Sequence, residues 1–470
     1  MMTEQNTKEL EITSEELNKS LQKNEPMLLF DLRLQDVYKE GHIDGSVHAV
    51  CNAKTKDTLM PQIPKNVKLV LIDEDGKMSA ETVEMMRSFG LDAYYLKGGM
   101  NDWTDKVVKG SPPDAVNPND LTEKLHDPNV YLLDVRDPDE FSDYSISGST
   151  NIPLPELFKP ENISKIPQDK EIITICPHGN MATLATFALA RNGLKARILN
   201  GGLAGWSQVL SSVDAFENPT VIQIEKIGKG CLSHMVISQN ESIVIDPLFP
   251  AEKYLEVAKV HDAKISYILD THQHADHVSA AQQLSELSGA PMYESKLEKW
   301  DRQANFLEDG QVISFGTSKL RVIHTPGHTP GSLSYVVDEK YVFTGDILFI
   351  ESIGRPDLRD NAEEFALELY DSLHNKLLKL PSDTIVFPTH HGPLVNSVNG
   401  VFSTTIEKTK QHEVLKLSKE EFVKQVVSIV VPRPMNYQKI IQINKGSIPL
   451  TPSDVPDLEL GPNRCSISGV

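Results

Sequence analysis

Seven side chains in the second half of the chain are of the types that bind metal ions. Four of them form an H-x-H-x-D-H cluster at residues 272–277, and the other three follow at separate places. Imidazole and carboxylate groups hold catalytic zinc, iron or manganese in proteins. A single His beside a strand is more often a hydrogen-bonded structural residue, but this cluster with three further residues predicts a metal centre. The candidates are His272, His274, Asp276, His277, His328, Asp346 and His390.

Each group of candidates directly follows an apolar segment. The segments are ISYILDT, LRVIHT, KYVFTGD and TIVFPT. Short apolar runs that end in polar and turn residues are typical of buried strands. We therefore expect the ligands to lie on loops at strand ends, where a rigid sheet can bring residues that are far apart in sequence around one metal.

Cys176 is a second candidate for chemistry. It ends the apolar segment EIITI and is followed by a short loop, residues 177–182, and a predicted helix. The backbone N–H groups of such a loop and the positive end of the helix favour a thiolate and can bind anionic sulfur species. A buried structural Cys is the alternative interpretation.

Roughly the first 210 residues contain one unit twice. The segment LLFDLR around Asp31 returns as YLLDVR around Asp134, 103 positions later, and KGGMNDW and NGGLAGW keep the same offset. A constant offset predicts two copies of one small parallel α/β fold. In the first copy Asp73 takes the position of Cys176, so we expect that copy to be inactive. Cys51 lies elsewhere in the first copy and is interpreted as an ordinary thiol.

The whole chain limits the classes of function. Its length of 470 residues predicts about three domains, which we place at 1–111, 112–214 and 217–470. The net charge of −20 argues against nucleic acid or an anionic membrane as a partner. The sequence has no apolar run of transmembrane length and no signal-peptide core, and its four Cys make no disulfide framework, so we expect a cytoplasmic protein.

Both copies of the repeat resemble rhodanese (sulfurtransferase) domains. The resemblance lies in the D-x-R segments, the Gly-Ser pairs, the loop at Cys176 and the G-G-x-x-x-W motifs. It implies that Cys176 carries sulfur, with thiosulfate and sulfite as the small-molecule partners. The family's loop usually reads C-x-x-G-x-R-S, and here Met181 replaces the Arg. The loss of that cation implies weaker thiosulfate binding and a less stabilised thiolate.

The chain from about residue 217 to 470 resembles a metallo-β-lactamase-fold domain, an αβ/βα sandwich with metal at one edge of two packed sheets. The whole protein is thus expected to combine two parallel α/β domains with this sandwich. One chemistry, resembling glyoxalase II, places two Zn ions in the site with a bridging hydroxide that attacks a thioester. It implies His272, His274 and His328 on one zinc, Asp276, His277 and His390 on the other, and Asp346 between them.

The other chemistry resembles the persulfide dioxygenase (sulfur dioxygenase) family, and it is the one that we favour. It implies one Fe(II) held by His272, His328 and Asp346, which oxidises a thiol persulfide with O₂ to sulfite and free thiol, in a homodimer. Fusion to rhodanese-like domains supports it, because rhodanese chemistry makes persulfides and linkage raises their local concentration. The remaining candidates then orient the ligands and the substrate: His274, Asp276, His277 and His390.

Two further residues, Arg355 and Cys465, follow from this second resemblance, and Cys231 is a candidate because of its position near the start of the domain. The segment GRPD at residues 354–357 resembles the family's G-R-x-D, and its Arg355 is expected to pair with an anionic substrate or with an internal carboxylate. The ending N-R-C places Cys465 near the substrate channel, unless it is an incidental thiol. Cys231, in GKGCLSHMV, either borders the substrate or is a packed core residue.

Overall fold

The structure is a computed structural model, and it describes residues 10–49, 61, 63–110, 114–357, 361–392, 395–429 and 432–467. Cys51 and the middle of the Pro-rich segment between the two copies, residues 111–113, lie outside the described residues. The chain divides into two compact units, Met1–Trp206 and Ser207–Val470.

The N-terminal unit contains two five-stranded sheets, each made of parallel strands. The first sheet has the spatial order Glu11–Ile12, Ala93–Leu96, Lys68–Ile72, Met27–Asp31 and Ser46–His48. The second has the order Ala115–Val116, Ala196–Leu199, Glu171–Ile175, Val130–Asp134 and Thr150–Asn151. Strands at equivalent sequence positions occupy equivalent places in the two sheets, which confirms the predicted repeat.

Helices cover both faces of the first sheet. Alternate residues of its strands point to opposite faces, and because apolar residues occur on both faces, both need cover from water. Leu69 and Leu71 share a core with the helix Lys77–Ser88, whereas Val70 shares one with the helix Ser14–Gln22. The described part of the first copy also contains the helix Gln35–Glu40. The helices of the second copy are Pro118–Lys124, Pro138–Asp143, Leu154–Leu157, Pro160–Ile163, Asn180–Arg191 and Gly202–Trp206.

The second glycine of each G-G motif packs against the loop that carries Asp73 or Cys176. Gly99 and Gly202 both have a φ of +58°, and a Cβ on them would lie 2.5 Å from the Asp73 carbonyl oxygen and 2.2 Å from the Cys176 carbonyl oxygen. In both copies the N–H of the next residue donates to that same carbonyl at 2.9 Å. Only glycine permits this approach, so the motif fixes the shape of the loop.

The C-terminal unit is a sandwich of two sheets. The seven-stranded sheet has the order Leu210–Phe216, Thr220–Lys226, Cys231–Ser238, Glu241–Ile245, Lys264–Leu269, Met292–Ser295 and Asn305–Leu307. The six-stranded sheet has the order Val312–Phe315, Ser318–His324, Leu333–Val337, Tyr341–Gly345, Ile385–Pro388 and Thr404–Thr405. A short pair joins Ile353–Gly354 to Ser466–Ile467.

A shared core fills the space between these sheets, where Val236 and Ile243 of one sheet meet Tyr335 and Phe343 of the other. The outer face of the seven-stranded sheet packs on helices Glu252–Val260 and Ala281–Ser288. The outer face of the six-stranded sheet packs on helices Ala362–Asn375 and Lys419–Ser428. This αβ/βα arrangement confirms the predicted fold. The remaining helices are Ile406–Thr409, Tyr437–Lys445 and Val455–Leu458.

The boundary between the units lies earlier than the sequence analysis placed it. The strand Leu210–Phe216 pairs antiparallel with Thr220–Lys226, so residues 210–214 belong to the C-terminal unit through their backbone hydrogen bonds. Among the helices in the described part of the chain, none has the length and apolar character that crossing a membrane requires.

Candidate metal centre

The H-x-H-x-D-H cluster lies on a buried loop that follows the strand Lys264–Leu269. Asp246, at the end of the neighbouring strand Glu241–Ile245, anchors the start of this loop. Its Oδ1 accepts hydrogen bonds from the N–H of Thr271 at 2.6 Å and from the Thr271 hydroxyl at 3.0 Å. The carboxylate thus replaces the sheet hydrogen bonds that the chain gives up where the strand ends.

His272, His328 and Asp346 form one group. Nε2 of His272 lies 3.7 Å from Oδ2 of Asp346, and Nε2 of His328 lies 3.4 Å from the same oxygen. Atoms bonded to one metal ion at about 2.1 Å stand roughly 3.0–3.4 Å apart in octahedral or tetrahedral geometry. The three side chains are buried, and their spacing is close to that of ligands around a single cation.

Each of these three side chains is oriented by a hydrogen bond on the side that faces away from the other two. Nδ1 of His328 lies 2.9 Å from the carbonyl oxygen of Arg355, so this nitrogen carries the hydrogen and Nε2 keeps its lone pair. Nδ1 of His272 lies 3.0 Å from the hydroxyl oxygen of Thr271. The Thr389 hydroxyl donates to Oδ1 of Asp346, which leaves Oδ2 facing the two rings. Metal ligands need such orienting partners.

The electrostatics of the group fit a bound cation. Among the described residues, Nε2 of His272, Nε2 of His277, Oδ2 of Asp346 and both ring nitrogens of His390 are buried without a hydrogen-bond partner. Burial and the neighbouring Asp276 carboxylate raise the pKa of Asp346 to about 8. Unpaired buried polar atoms are costly, and a divalent cation held by the first group would satisfy Nε2 of His272 and Oδ2 of Asp346 and keep Asp346 ionised. The unpaired atoms of His277 and His390 lie outside that group of three ligands and belong to a second group. The residues present therefore fit a metal ion.

A second group, beside the first, consists of Cys231, Asp276, His277 and His390. Nε2 of His390 lies 3.4 Å from Oδ2 of Asp276 and 3.3 Å from Oδ1 of Asp346, so this ring stands between the two groups. The Cys231 thiol lies 3.5 Å from Oδ2 of Asp276. Cys231 is fully buried as well as next to this carboxylate, so both interpretations of it stand, and burial raises the pKa of its thiol well above the usual range.

His274 belongs to neither of these two groups. Its Nε2 lies 3.1 Å from Oδ1 of Asp246, and these two residues cluster with Asp270. Burial alone would lower the pKa of His274, but the Asp246 carboxylate raises it to about 9. Nδ1 of His274 has no hydrogen-bond partner among the described residues. Nδ1 is thus the nitrogen of His274 that is open to a metal ion, while the spacing of ligand atoms groups two His and one Asp without His274.

Arg355 pairs with an internal carboxylate, which is one of the two partners that the sequence left open. Its buried guanidinium binds Asp357 through Nε and Nη2, both at 2.7 Å, and Nη1 donates to the carbonyl oxygens of Pro432 and Arg464 at 3.0 Å. Arg355 thereby fixes the C-terminal segment beside His328. The following residue, Cys465, is fully buried and its sulfur lies within 4.8 Å of ligand atoms of the two groups.

Cys176, in the N-terminal unit, lies in the predicted backbone cradle. The N–H groups of Gly179 and Ala182 point at its sulfur from 3.1 and 3.3 Å, and the helix Asn180–Arg191 begins there. Burial nevertheless raises the pKa of the Cys176 thiol, and the N–H groups of Ala182 and His178 lower it only in part. The expectation that this environment favours a thiolate is thus outweighed by desolvation.

Sequence reasoning missed three residues that hold the ligand loop. Asp246 shows the same pattern that identified the other candidates, because it directly follows an apolar segment and ends SIVID. Asn444 donates hydrogen bonds to the carbonyl oxygens of His274 and His277, and Glu459 accepts one from the N–H after His277. Neither residue lies in a motif, so no local pattern could have identified them.

Comparison with known proteins agrees with these assignments of fold. The sequence profile of the metallo-beta-lactamase superfamily matches residues 228–390, and that of the rhodanese-like domain matches residues 13–106 and 117–209. The mitochondrial persulfide dioxygenase ETHE1 of Bos taurus is 33% identical over 225 residues, which cover 46% of this chain and 84% of the relative.

Two further proteins are similar to part of this chain. The hydroxyacylglutathione hydrolase GloC of Haemophilus influenzae is 30% identical over 195 residues, which cover 37% of this chain and 90% of the relative. The crystal structure of ETHE1 from Myxococcus xanthus has a TM-score of 0.44 and 28% identity, covering 48% of this chain and 97% of that one.

Proposed function

Because the chain belongs to the persulfide dioxygenase family of the metallo-β-lactamase superfamily, we propose that its C-terminal unit oxidises a low-molecular-weight thiol persulfide with O₂. His272, His328 and Asp346 would hold one Fe(II), which supplies open coordination positions for O₂ and for sulfur. In the balanced reaction, two oxygen atoms from O₂ and one from water join the outer sulfur. The S–S bond breaks, and the products are sulfite, the free thiol and two protons.

The observation that carries this proposal is the composition of the first group. Two imidazoles and one carboxylate converge on one point, with distances of 3.4 and 3.7 Å to a shared carboxylate oxygen. Two His and one carboxylate with open positions are typical of iron oxygenases that do not contain haem. His274, the third imidazole that a zinc hydrolase would use, lies outside this group of three; its Nε2 contacts Asp246, and its Nδ1 is unpaired among the described residues.

The chain's own residues prepare this site for a sulfur substrate. Thr389 and the Arg355 carbonyl fix the ligand orientations, and burial of the whole group limits the access of water. The thiols of Cys231 and Cys465 are buried beside these ligands, and burial raises the pKa of both.

We further propose that Cys176 transfers sulfur to or from small thiols and sulfite. Its thiolate would attack the outer sulfur of thiosulfate or of a persulfide, so that one S–S bond forms, one breaks, and sulfite or a thiol leaves. The backbone N–H groups of Gly179 and Ala182 support this role, because they can stabilise negative charge on sulfur.

A dinuclear zinc thioesterase of the glyoxalase II type is the alternative. The second group favours it, because Asp276, His277 and His390 could hold another metal ion beside the first. The two proposals differ in metal content, since one requires one iron per chain and the other requires two zinc ions.

The deciding experiment is oxygen uptake by the full chain, loaded with Fe(II) without oxygen, after addition of a thiol persulfide. We expect O₂ consumption that is matched by sulfite. The variant His272→Ala, which removes a ligand of the first group, serves as the control and should consume none. Iron-loaded protein that takes up no O₂, together with cleavage of a thioester by protein with two zinc ions per chain, would establish the alternative.

A further inference from the structure

We propose that Asn444 and Glu459 are positioning residues that hold the metal-ligand loop in shape. We call the two side chains the C-terminal clamp. They lie on or beside short helices, Tyr437–Lys445 and Val455–Leu458, and outside every motif that the sequence analysis identified. The clamp acts on the backbone of the loop rather than on the metal, so it is distinct from the ligands and from their hydrogen-bond partners.

Both N–H groups and the oxygen of the Asn444 amide form hydrogen bonds with the backbone of the loop. Its Nδ2 donates to the carbonyl oxygen of His274 at 3.0 Å and to that of His277 at 2.9 Å. Its Oδ1 accepts a hydrogen bond from the N–H of Ser279 at 2.9 Å. The side chain is buried. An amide has two N–H donors and one carbonyl acceptor, so its hydrogen-bonding capacity is directed at three backbone groups of one short segment.

Glu459 binds the backbone of Val278, which lies between His277 and Ser279. Its Oε1 accepts a hydrogen bond from the N–H of Val278 at 2.7 Å, and its Oε2 forms an ion pair with Lys226. Both charged side chains are fully buried, and the Glu459 carbonyl also accepts from Nζ of Lys229 at 2.9 Å. An ion pair that is buried in this way keeps the carboxylate in one position. Glu459 is therefore a rigid acceptor for the loop.

These contacts matter because the loop lies beyond the end of its strand; of the described residues that the clamp binds, Ser279 forms a β-bridge with Leu248 and the others have no sheet partner. Four backbone groups between His274 and Ser279 are paired by the two clamp side chains. Ligands must be held within fractions of an ångström, and the groups that support them determine metal affinity. The inference rests on the proposed function only in taking the loop as metal-binding, whichever metal it binds.

Asn444→Asp tests the clamp in the full chain. This substitution preserves size and the acceptor for Ser279, but it replaces both donors by an oxygen that faces two carbonyl oxygens. Co(II) is the probe, with affinity measured by competition with a chelator and geometry measured by visible absorption. We expect about a 10- to 100-fold weaker affinity and an altered Co(II) spectrum. The matched control is Asn305→Asp, whose amide binds the Met292 carbonyl away from the ligands. An Asn444→Asp protein with unchanged affinity and spectrum would overturn the proposal.

A second measurement needs no substitution, and so it remains decisive if the variant fails to fold. In the metal-free protein, the clamp predicts slow hydrogen exchange at the amides of Val278 and Ser279, because their acceptors are Glu459 and Asn444 rather than the metal. Fast exchange at both amides would refute the clamp. Neither measurement uses a persulfide, so absence of O₂ uptake would refute the proposed function and leave this inference standing.

Discussion

Asp73 and Cys176 occupy equivalent positions in the two copies of the repeat, and equivalent backbone groups point at both. The N–H of Gly76 donates to Oδ1 of Asp73 at 2.8 Å, and the N–H of Gly179 points at the Cys176 sulfur from 3.1 Å. Asp73 also accepts from the N–H and the hydroxyl of Ser79, at 3.2 and 2.7 Å. The first copy thus encloses a carboxylate of its own where the second holds a thiol.

We expect Asp73→Ala to destabilise the N-terminal unit without affecting sulfur transfer. The change leaves the buried N–H groups of the loop and the Ser79 hydroxyl without their acceptor, at a cost of about 2–4 kcal/mol in the free energy of unfolding. Denaturant unfolding checks the value, with Glu74→Ala as the control because the Glu74 side chain is 62% exposed. Equal stability of the two variants would show that the carboxylate contributes nothing to the fold.

Met181→Arg should increase the rate of sulfur transfer from thiosulfate to Cys176. Met181 stands in the Cys176 loop where a rhodanese carries a cation, and burial raises the pKa of the Cys176 thiol. A guanidinium nearby should lower that pKa and attract the anionic donor, so kcat/KM for thiosulfate should rise about tenfold or more. Met181→Gln, which adds length without charge, should stay at the original rate. A similar gain in both variants would exclude charge as the cause.

Metal content should separate the two groups of ligands. We expect His272→Ala to lose most of its iron, because its Nε2 belongs to the group of two His and one Asp. His390→Ala should keep close to one iron per chain, because His390 contacts Asp346 from outside that group. Elemental analysis after loading with Fe(II) measures both. If His390→Ala also lost its iron, the ligand set would have to include the second group.

The sequence predicts the parts of this molecule that local patterns encode. Repeated segments with a constant offset identified the two α/β domains, and apolar segments that end in His or Asp identified the strand ends at which His272, His328 and Asp346 lie. The separation of His272, His328 and Asp346 from the other candidates was expected only from the resemblance, because no local pattern encodes which side chains converge in the fold.

Burial and long-range contacts account for what the sequence did not predict. The Cys176 loop has the expected donors, yet the depth of the thiol reverses the expected direction of its pKa shift. Glu459 acts on Val278, which lies 181 positions away in sequence, and no periodicity connects them. The strand Leu210–Phe216 joined the C-terminal unit because of its pairing partner, which is also a tertiary contact.

The buried imidazole of His234 should make the C-terminal unit sensitive to acid. Burial lowers its pKa to about 3, and the ring packs against Phe343 and Phe387. An unfolded His has a pKa of about 6.5, so between pH 6.5 and 3 the unfolded state binds a proton that the folded state does not. The stabilising contribution of the neutral ring is complete above pH 6.5 and falls by about 1.4 kcal/mol for each pH unit below it.

We expect His234→Gln to lose this part of the pH dependence. Glutamine does not titrate, and its amide can still face Gln223, which lies 3.1 Å from Nε2 of His234. Urea unfolding of the metal-free protein at pH 7.5 and 5.5 measures the effect. The loss of unfolding free energy between the two pH values should be about 1.4 kcal/mol smaller in the variant. Equal losses in the two proteins would mean that the ring of His234 gains a proton in the folded state as readily as in the unfolded one.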